Sequence, residues 1–329
     1  MVFTGLWLLV IQFDRDYRNI PPHHLIGNKP STIAALKEQG FPFSFLAIGD
    51  TQGSERAETL IEMALEKKAP SFMVILGDFV KNPDLWNHRF FLTEMTKEIK
   101  PPFPVFLVSG NHDIDYTSKI KSKERRVTPE VYESLYGARN FDFFFNQCLF
   151  IICGVDWNDP TRYLGYLRDT LSKKGGGKEH IFVFIHYPPK GLAEHIPGSL
   201  PNEEDFLSLL ETYRVTTCFF GHYHGYWRGQ KKGINLIVSG GGGRLKSSQS
   251  EWGGFHHILR VNVEKNKITE EVMTMGEPWD LEDTFEEWIF IHLFPFIQSF
   301  VWMLYPVFLT LLIMSGFTFF NFLRTLRRG

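Results

Sequence analysis

Cysteine is scarce in this chain: the 329 residues contain three, Cys148, Cys153 and Cys218. An odd number, each lying in or beside an apolar run, excludes a disulfide framework and reads as buried thiols. Net charge is nearly absent as well, at -2. The overall balance therefore carries no electrostatic footprint for nucleic acid, and no nucleic-acid binding is expected. A third deficit is local. No Lys or Arg occurs between Lys267 and Arg324, and Trp288 to Leu323 holds no charged residue apart from His292 when protonated.

What is abundant is apolar and aromatic: 43% of residues are hydrophobic and 32 are Phe. That is enough for one sizeable core plus additions. Several apolar runs end in the same way. Phe45 to Gln52 reads FLAIGDTQ, Phe72 to Asp78 reads FMVILGD, and Val105 to Ser109 leads into Gly110, Asn111, His112 and Asp113. Asp50 and Asp78 are 28 residues apart and Asp78 and Asn111 are 33 apart, the length of a strand, helix, strand unit. Consecutive units of this kind deliver their polar tips to the carboxyl edge of a parallel sheet, where ligands bind in open α/β sheets. Two later runs finish similarly, Ile181 to Ile185 before His186, and Cys218 to Phe220 before Gly221, His222, Tyr223 and His224. On an extended strand end, residues i and i+2 point the same way, so Asp50 with Gln52, and His222 with His224, are expected to offer paired donors.

The ordered set GDTQ, GD, GNHD, His186 and GHYH resembles the calcineurin-like metallophosphoesterases, whose usual pattern is DxH, GDxx, GNH(D/E), H and GHxH. The resemblance covers about Phe43 to Thr274. It implies an α/β fold of two packed mixed β-sheets flanked by helices, a four-layer sandwich, and hydrolysis of a phosphoester substrate. It also implies two divalent transition metal ions, Mn, Fe or Zn. The first would take Asp50, Gln52, Asp78 and His224; the second would take Asp78, Asn111, His186 and His222, with Asp78 bridging. His112 would protonate the leaving oxygen, oriented by Asp113. One position departs from the pattern: Gln52 stands where the family usually has His, which weakens or removes one ligand of the first site. A second function class follows from that departure, a binding or scaffold protein that keeps the fold without turnover.

Around these motifs, the apolar spacing predicts helices over Ser54 to Lys68 and Leu85 to Ile99. Asn140 to Asn146 and Leu149 to Val155 read as an antiparallel hairpin, and runs at Ile234 to Ser239, His256 to Val263 and Ile268 to Met273 are expected to complete the second sheet. The basic stretch Asp115 to Arg126 reads as a solvated loop, the alternative being a loop that attracts anionic substrate or lipid headgroups. Gly240 to Gly243 read as a flexible turn, with Arg244 beyond it as a phosphate-contact candidate. His195, on a Pro/Gly loop after His186, is a candidate substrate contact. His23, His24, His88, His180, His256, His257 and His292 read as structural imidazoles.

The ends have a different character. Residues 1–40 form an apolar segment and lead-in; Met1 to Phe13 is uncharged, and reads as a signal core, a stub of a longer anchor, or an apolar tail packed on the domain. Residues 41–275 form the expected catalytic domain and 276–287 an acidic linker. Residues 288–323 are 36 in number, against the roughly 20 needed for one transmembrane helix. A span is expected near 300–323, with Pro295 and Pro306 dividing off an interfacial portion. Residues 324–329 carry Arg324, Arg327 and Arg328, so the bilayer partner would hold this tail in the cytosol and the domain on the extracytoplasmic side, periplasm or lumen. The alternative is a monotopic anchor with everything cytosolic. A lipid-linked phosphoester is the substrate hypothesis that such anchoring suggests.

Overall fold

Period-2 patterning decides which side of each strand meets which neighbour. In the computed structural model, which describes residues 19–67, 69–275, 288–293, 306–320 and 324, Phe43, Phe45 and Ala47 of β1 (Phe43–Ile48) face one core, while Leu46 and Ile48 face another. The same alternation runs along β5 (Cys148–Cys153) and β6 (His180–Ile185): Phe150, Phe182 and Phe184 point one way, and Leu149, Ile181 and Val183 the other. Strands buried on both faces need apolar residues at every position, which explains the unbroken runs in the sequence.

Two mixed sheets result. β1 pairs in parallel with β2 (Met73–Ile75), and β2 with β3 (Val105–Leu107). β10 (His257–Val263) lies antiparallel on the other side of β1, and β11 (Ile268–Thr274) lies antiparallel to β10, giving the order β11-β10-β1-β2-β3. The second sheet comprises β4 (Phe141–Phe145), β5, β6, β7 (Thr217–Phe220), β8 (Tyr226–Lys231) and β9 (Ile234–Ser239), in the order β4-β5-β6-β7-β9-β8. Between the sheets sits a cluster with ten phenylalanines, including the stacked pairs Phe45–Phe72, Phe143–Phe150 and Phe184–Phe219. Each such side chain contributes about 1.5–3 kcal/mol on burial.

The outer faces are covered by helices. On the first sheet these are α2 (Glu55–Glu66), α3 (Leu85–Thr93) and α4 (Pro129–Tyr136), after the short α1 (Pro30–Ala34). The second sheet is covered by α5 (Arg162–Lys174) and α6 (Glu203–Thr212). Asp84 caps α3 by accepting from the Trp86 amide at 2.8 Å, and Thr128 caps α4 ahead of Pro129.

Four expectations change. The helix expected to run to Ile99 ends at Thr93 and continues as a π-helical turn, Glu94–Ile99. β10 and β11 join the first sheet rather than the second, because β1 has a free edge that local patterning does not advertise. β8 escapes the sequence pattern because it is a largely solvent-facing edge strand with Arg228 and Lys231. The basic stretch is held rather than merely solvated: Arg125 pairs with Asp84 at 2.7 Å, and Asp115 accepts from the amides of Thr117, Lys119 and Ile120. The hairpin of β4 and β5 and the buried, unpaired state of all three cysteines follow the sequence.

The chain divides into two units, 1–280 and 281–329. Within the second, Ile289–Leu293 form a π-helical turn and 306–320 a helix whose Val307, Ile313 and Phe317 are exposed. Among the described residues no helix is long and apolar enough to cross a membrane. Residues 1–13, the whole acidic linker 276–287, and 300–305 and 321–323 of the stretch expected to span lie outside the described residues.

Candidate metal centre

Beyond β1, β2 and β7 the chain turns abruptly. Asp50, Gln52, Asp78 and His222 have φ of 57°, 52°, 51° and 65°. A left-handed backbone costs a non-glycine residue about 1–2 kcal/mol, and its concentration where the carboxyl ends of strands from both sheets meet marks a site where geometry is over-determined. The local hydrogen bonds show what holds it. Asp50 N donates to Gly77 O at 2.9 Å and Gln52 N to Asp78 O at 3.0 Å. His222 N donates to Asp50 Oδ2 at 2.8 Å, and His112 N to Asp78 Oδ1 at 2.7 Å. These turns replace the extended geometry expected of Asp50 and Gln52. Their side chains are not paired by an i, i+2 strand register.

Gly110 is required where it stands, since a Cβ there would collide with Asp78 Oδ1. Gly240 to Gly243 are likewise no flexible turn. A side chain on Gly240 would meet Asp50 Oδ2, and one on Gly243 would meet the Asp50 and Thr51 carbonyls.

Two groups of metal-ligating side chains converge, Asp78 with His186 and His222, and Asp50 with Asp78 and His224. Within each, ligand atoms lie within 4.8 Å of one another, and Asp78 belongs to both. His186 donates from Nδ1 to the Leu76 carbonyl at 2.8 Å, and His224 from Nδ1 to the Arg244 carbonyl at 2.6 Å. Both imidazoles thereby present Nε2 inward, 3.4 Å from Asp78 Oδ2 and 3.3 Å from Asp50 Oδ1 respectively. Such outer hydrogen bonds fix tautomer and ring orientation.

The electrostatics of the cluster call for positive charge. Burial, reinforced by the charge of Asp78, raises the Asp50 carboxyl well above its ordinary range. Its Oδ1 is buried without a hydrogen-bond partner. Burial also works against charge on His186 and Asp78, yet their mutual attraction wins, taking His186 up to about 9 and Asp78 down to about 2. Burial and the neighbouring His186 hold His222 down to about 3, and burial lowers His224. A buried carboxyl with an orphaned oxygen, and the His222 and His224 imidazoles held neutral beside it, fit divalent cations.

Residues 43–226 match the family model for the calcineurin-like phosphoesterases. The chain belongs to that family. It is 23% identical over 235 residues to purple acid phosphatase 23 of Arabidopsis thaliana, a match covering 60% of this chain and 50% of that protein. It is also 23% identical over 260 residues to the serine/threonine-protein phosphatase CPPED1 of Mus musculus, covering 70% of this chain and 77% of that one. The chain thus spans half the length of the plant relative. In fold it is similar to purple acid phosphatase PPD1 from yellow lupin seeds (TM-score 0.55, 15% identity, 75% of this chain and 55% of that one). It is similar too to a dimetal phosphatase from Danio rerio (TM-score 0.52, 14% identity, 71% and 97%).

Against the family pattern, three assignments shift. Asp113 does not orient His112: the imidazole's Nδ1 donates to the Lys81 carbonyl at 2.7 Å. Asp113, fully buried, accepts from the amides of Gly110 (2.7 Å), Asp78 (2.9 Å), Phe79 (3.0 Å) and Val80 (3.3 Å). Burial pushes its carboxyl up to about 7 against those donors. Its role is to tie the loop after β3 to the loop after β2. Gln52 Oε1 accepts from Lys81 Nζ at 2.7 Å, so an ammonium is already seated on the oxygen expected to bind the first metal. Arg244 is exposed, and its carbonyl rather than its guanidinium meets a ligand residue. Asn111 is exposed at the turn between Gly110 and His112.

Lys81, Tyr223 and Trp252 were not legible as site residues. Lys81 is distinguished only by standing three residues after Asp78, and Trp252 only as a lone aromatic in the polar stretch Ser247 to Gly253.

Proposed function

We propose that the chain hydrolyses phosphoric esters with two divalent cations held by Asp50, Asp78, His186, His222 and His224, with Asn111 and Gln52 as further ligand candidates. The observation that carries this is the sharing of Asp78 between two carboxylate and imidazole groups at the edge where the carboxyl ends of both sheets meet. Cations held there would neutralise phosphoryl charge and lower the pKa of water for in-line attack. His112 lies beside that edge, its Nε2 3.9 Å from Asp78 Oδ2 and its side chain 28% exposed. With Nδ1–H committed to the Lys81 carbonyl, Nε2 is the position that carries the second proton of the imidazolium, and that proton serves the leaving oxygen. Asp78 Oδ1, by accepting the His112 amide, sets this ring relative to the ligands.

The Gln52–Lys81 bond supports a first site weaker than the second, and is the one observation favouring a non-catalytic binding role. Metal analysis combined with hydrolysis of an activated aryl phosphate separates the two. Bound metal with turnover is expected, and metal-loaded protein without turnover would leave the scaffold reading.

The domain is further proposed to be tethered to a membrane by the C-terminal segment, on the extracytoplasmic side. Supporting this are 36 residues without a fixed charge, the exposed apolar side chains of 306–320, and the arginines that follow.

A further inference from the structure

A recess of about 480 Å³ opens beside the metal centre, lined by Glu194, His195, Tyr223, Lys246, Ser247 and Trp252. Its wall is the ligand turn itself. Tyr223 stands between His222 and His224, and Lys246 N donates to the His224 carbonyl at 2.9 Å. Consecutive Cα atoms are about 3.8 Å apart, so the Tyr223 wall of the recess shares its backbone with the turn that carries His222 and His224.

The lining is a platform of rings. His195 and Trp252 lie parallel, 5° apart with centroids at 5.9 Å, and Tyr223 inclines at 55° to His195 with centroids at 5.5 Å. Trp252 is 43% exposed, yet its backbone is pinned. The Tyr223 hydroxyl donates to the Trp252 carbonyl at 2.8 Å, and Tyr226 N donates to Gly253 O at 2.9 Å. Gly253 adopts φ of 69°, where a Cβ would strike the Tyr226 backbone. An exposed indole on a fixed loop presents a face at little ordering cost. His195 Nε2 is buried without a hydrogen-bond partner, and Lys246 and Glu194 at the rim supply a cation and a carboxylate. No aliphatic side chain lines the recess, so it suits a flat polar ring rather than an acyl chain.

Building on the phosphoesterase reading, we propose that this recess is the specificity pocket for the leaving group, and that the group it takes is a nucleoside, its base stacked on Trp252 and His195. The test compares adenosine 5′-monophosphate, glycerol 2-phosphate and a phosphoserine peptide as substrates of the metal-loaded full chain. Binding of adenosine, which carries no phosphate, is measured by calorimetry alongside. Trp252→Ala is expected to raise KM for the nucleotide about tenfold or more while leaving glycerol phosphate within about twofold. Trp252→Phe should restore most of the loss, and adenosine should bind the parent chain but not Trp252→Ala. Equal nucleotide kinetics in parent and Trp252→Ala, or preference for the peptide unaffected by the substitution, would overturn the pocket's assignment. If no ester is cleaved but adenosine binds through Trp252, the hydrolase reading fails and the recess stands; if adenosine does not bind, the recess assignment fails on its own.

Discussion

At His112 the backbone and the ring have separate duties: the amide donates to Asp78 Oδ1, while the ring is held by the Lys81 carbonyl. Removing the ring should therefore spare the ligands. His112→Ala is expected to keep its metal content and to lose about 10²–10⁴-fold in kcat on alkyl phosphoesters. The loss should be much smaller on nitrophenyl esters, whose leaving group needs little protonation. An equal loss on both would assign the imidazole to phosphate binding. Lys81 enters a second prediction. Its ammonium sits 2.7 Å from Gln52 Oε1, so Gln52→His alone would place an imidazole against a cation and bring little gain. Gln52→His combined with Lys81→Met should tighten the first site about tenfold or more, as changes to outer partners of ligands commonly do. Manganese titration calorimetry reads this directly, and identical affinities in the single and double variants would remove Lys81 from the argument.

Elements are locked to the metal loops by buried polar side chains, and α3 is the clearest case. His88 Nε2 donates to the Asp113 carbonyl at 3.0 Å, and its Nδ1 accepts from the Tyr136 hydroxyl at 2.9 Å. One helix thus braces both the loop after β3 and α4. Neutral imidazole satisfies both bonds, and burial holds His88 down to about 3 from 6.5. Because the folded value is depressed, the unfolded chain binds its proton first as pH falls. His88's contribution is complete above pH 6.5 and is lost between there and about pH 3. At pH 5 the loss is about 2 kcal/mol relative to neutrality. His88→Gln should flatten the pH dependence of the urea midpoint in chelator-treated protein. Parallel curves for the two proteins would show that His88 titrates normally. His88 was read from the sequence as a structural imidazole only by default; its link to the loop after β3 was not legible, since it joins residues 25 apart.

For the whole molecule, topology is the open variable on which substrate access depends. The three native cysteines are buried, so an impermeant thiol reagent reports only on introduced ones. With the domain outside the cytosol, intact cells should label Ser248→Cys and spare Gly329→Cys. The opposite pattern would invert the orientation, and labelling of neither would place both ends in the cytosol.

Much of the centre was legible because each ligand motif is local: an apolar strand, a tight turn and one or two donors are contiguous in sequence. Asp50, Asp78, His186, His222 and His224 could be named, and the hairpin of β4 and β5 placed, from short-range pattern alone. Tertiary structure decided what depends on non-local pairing. It put β10 and β11 on the free edge of β1, and turned Asp50 and Gln52 into left-handed geometry. It gave Asp113 to four amides rather than to His112, and set Lys81 on Gln52. The recess likewise draws His195, Tyr223, and Lys246 with Trp252 from three separate loops. Composition and period state which residues are buried and which chemistry is available; which donor meets which acceptor is settled when the packed sheets bring distant turns to one edge, where an unmet buried polar group would cost too much to leave.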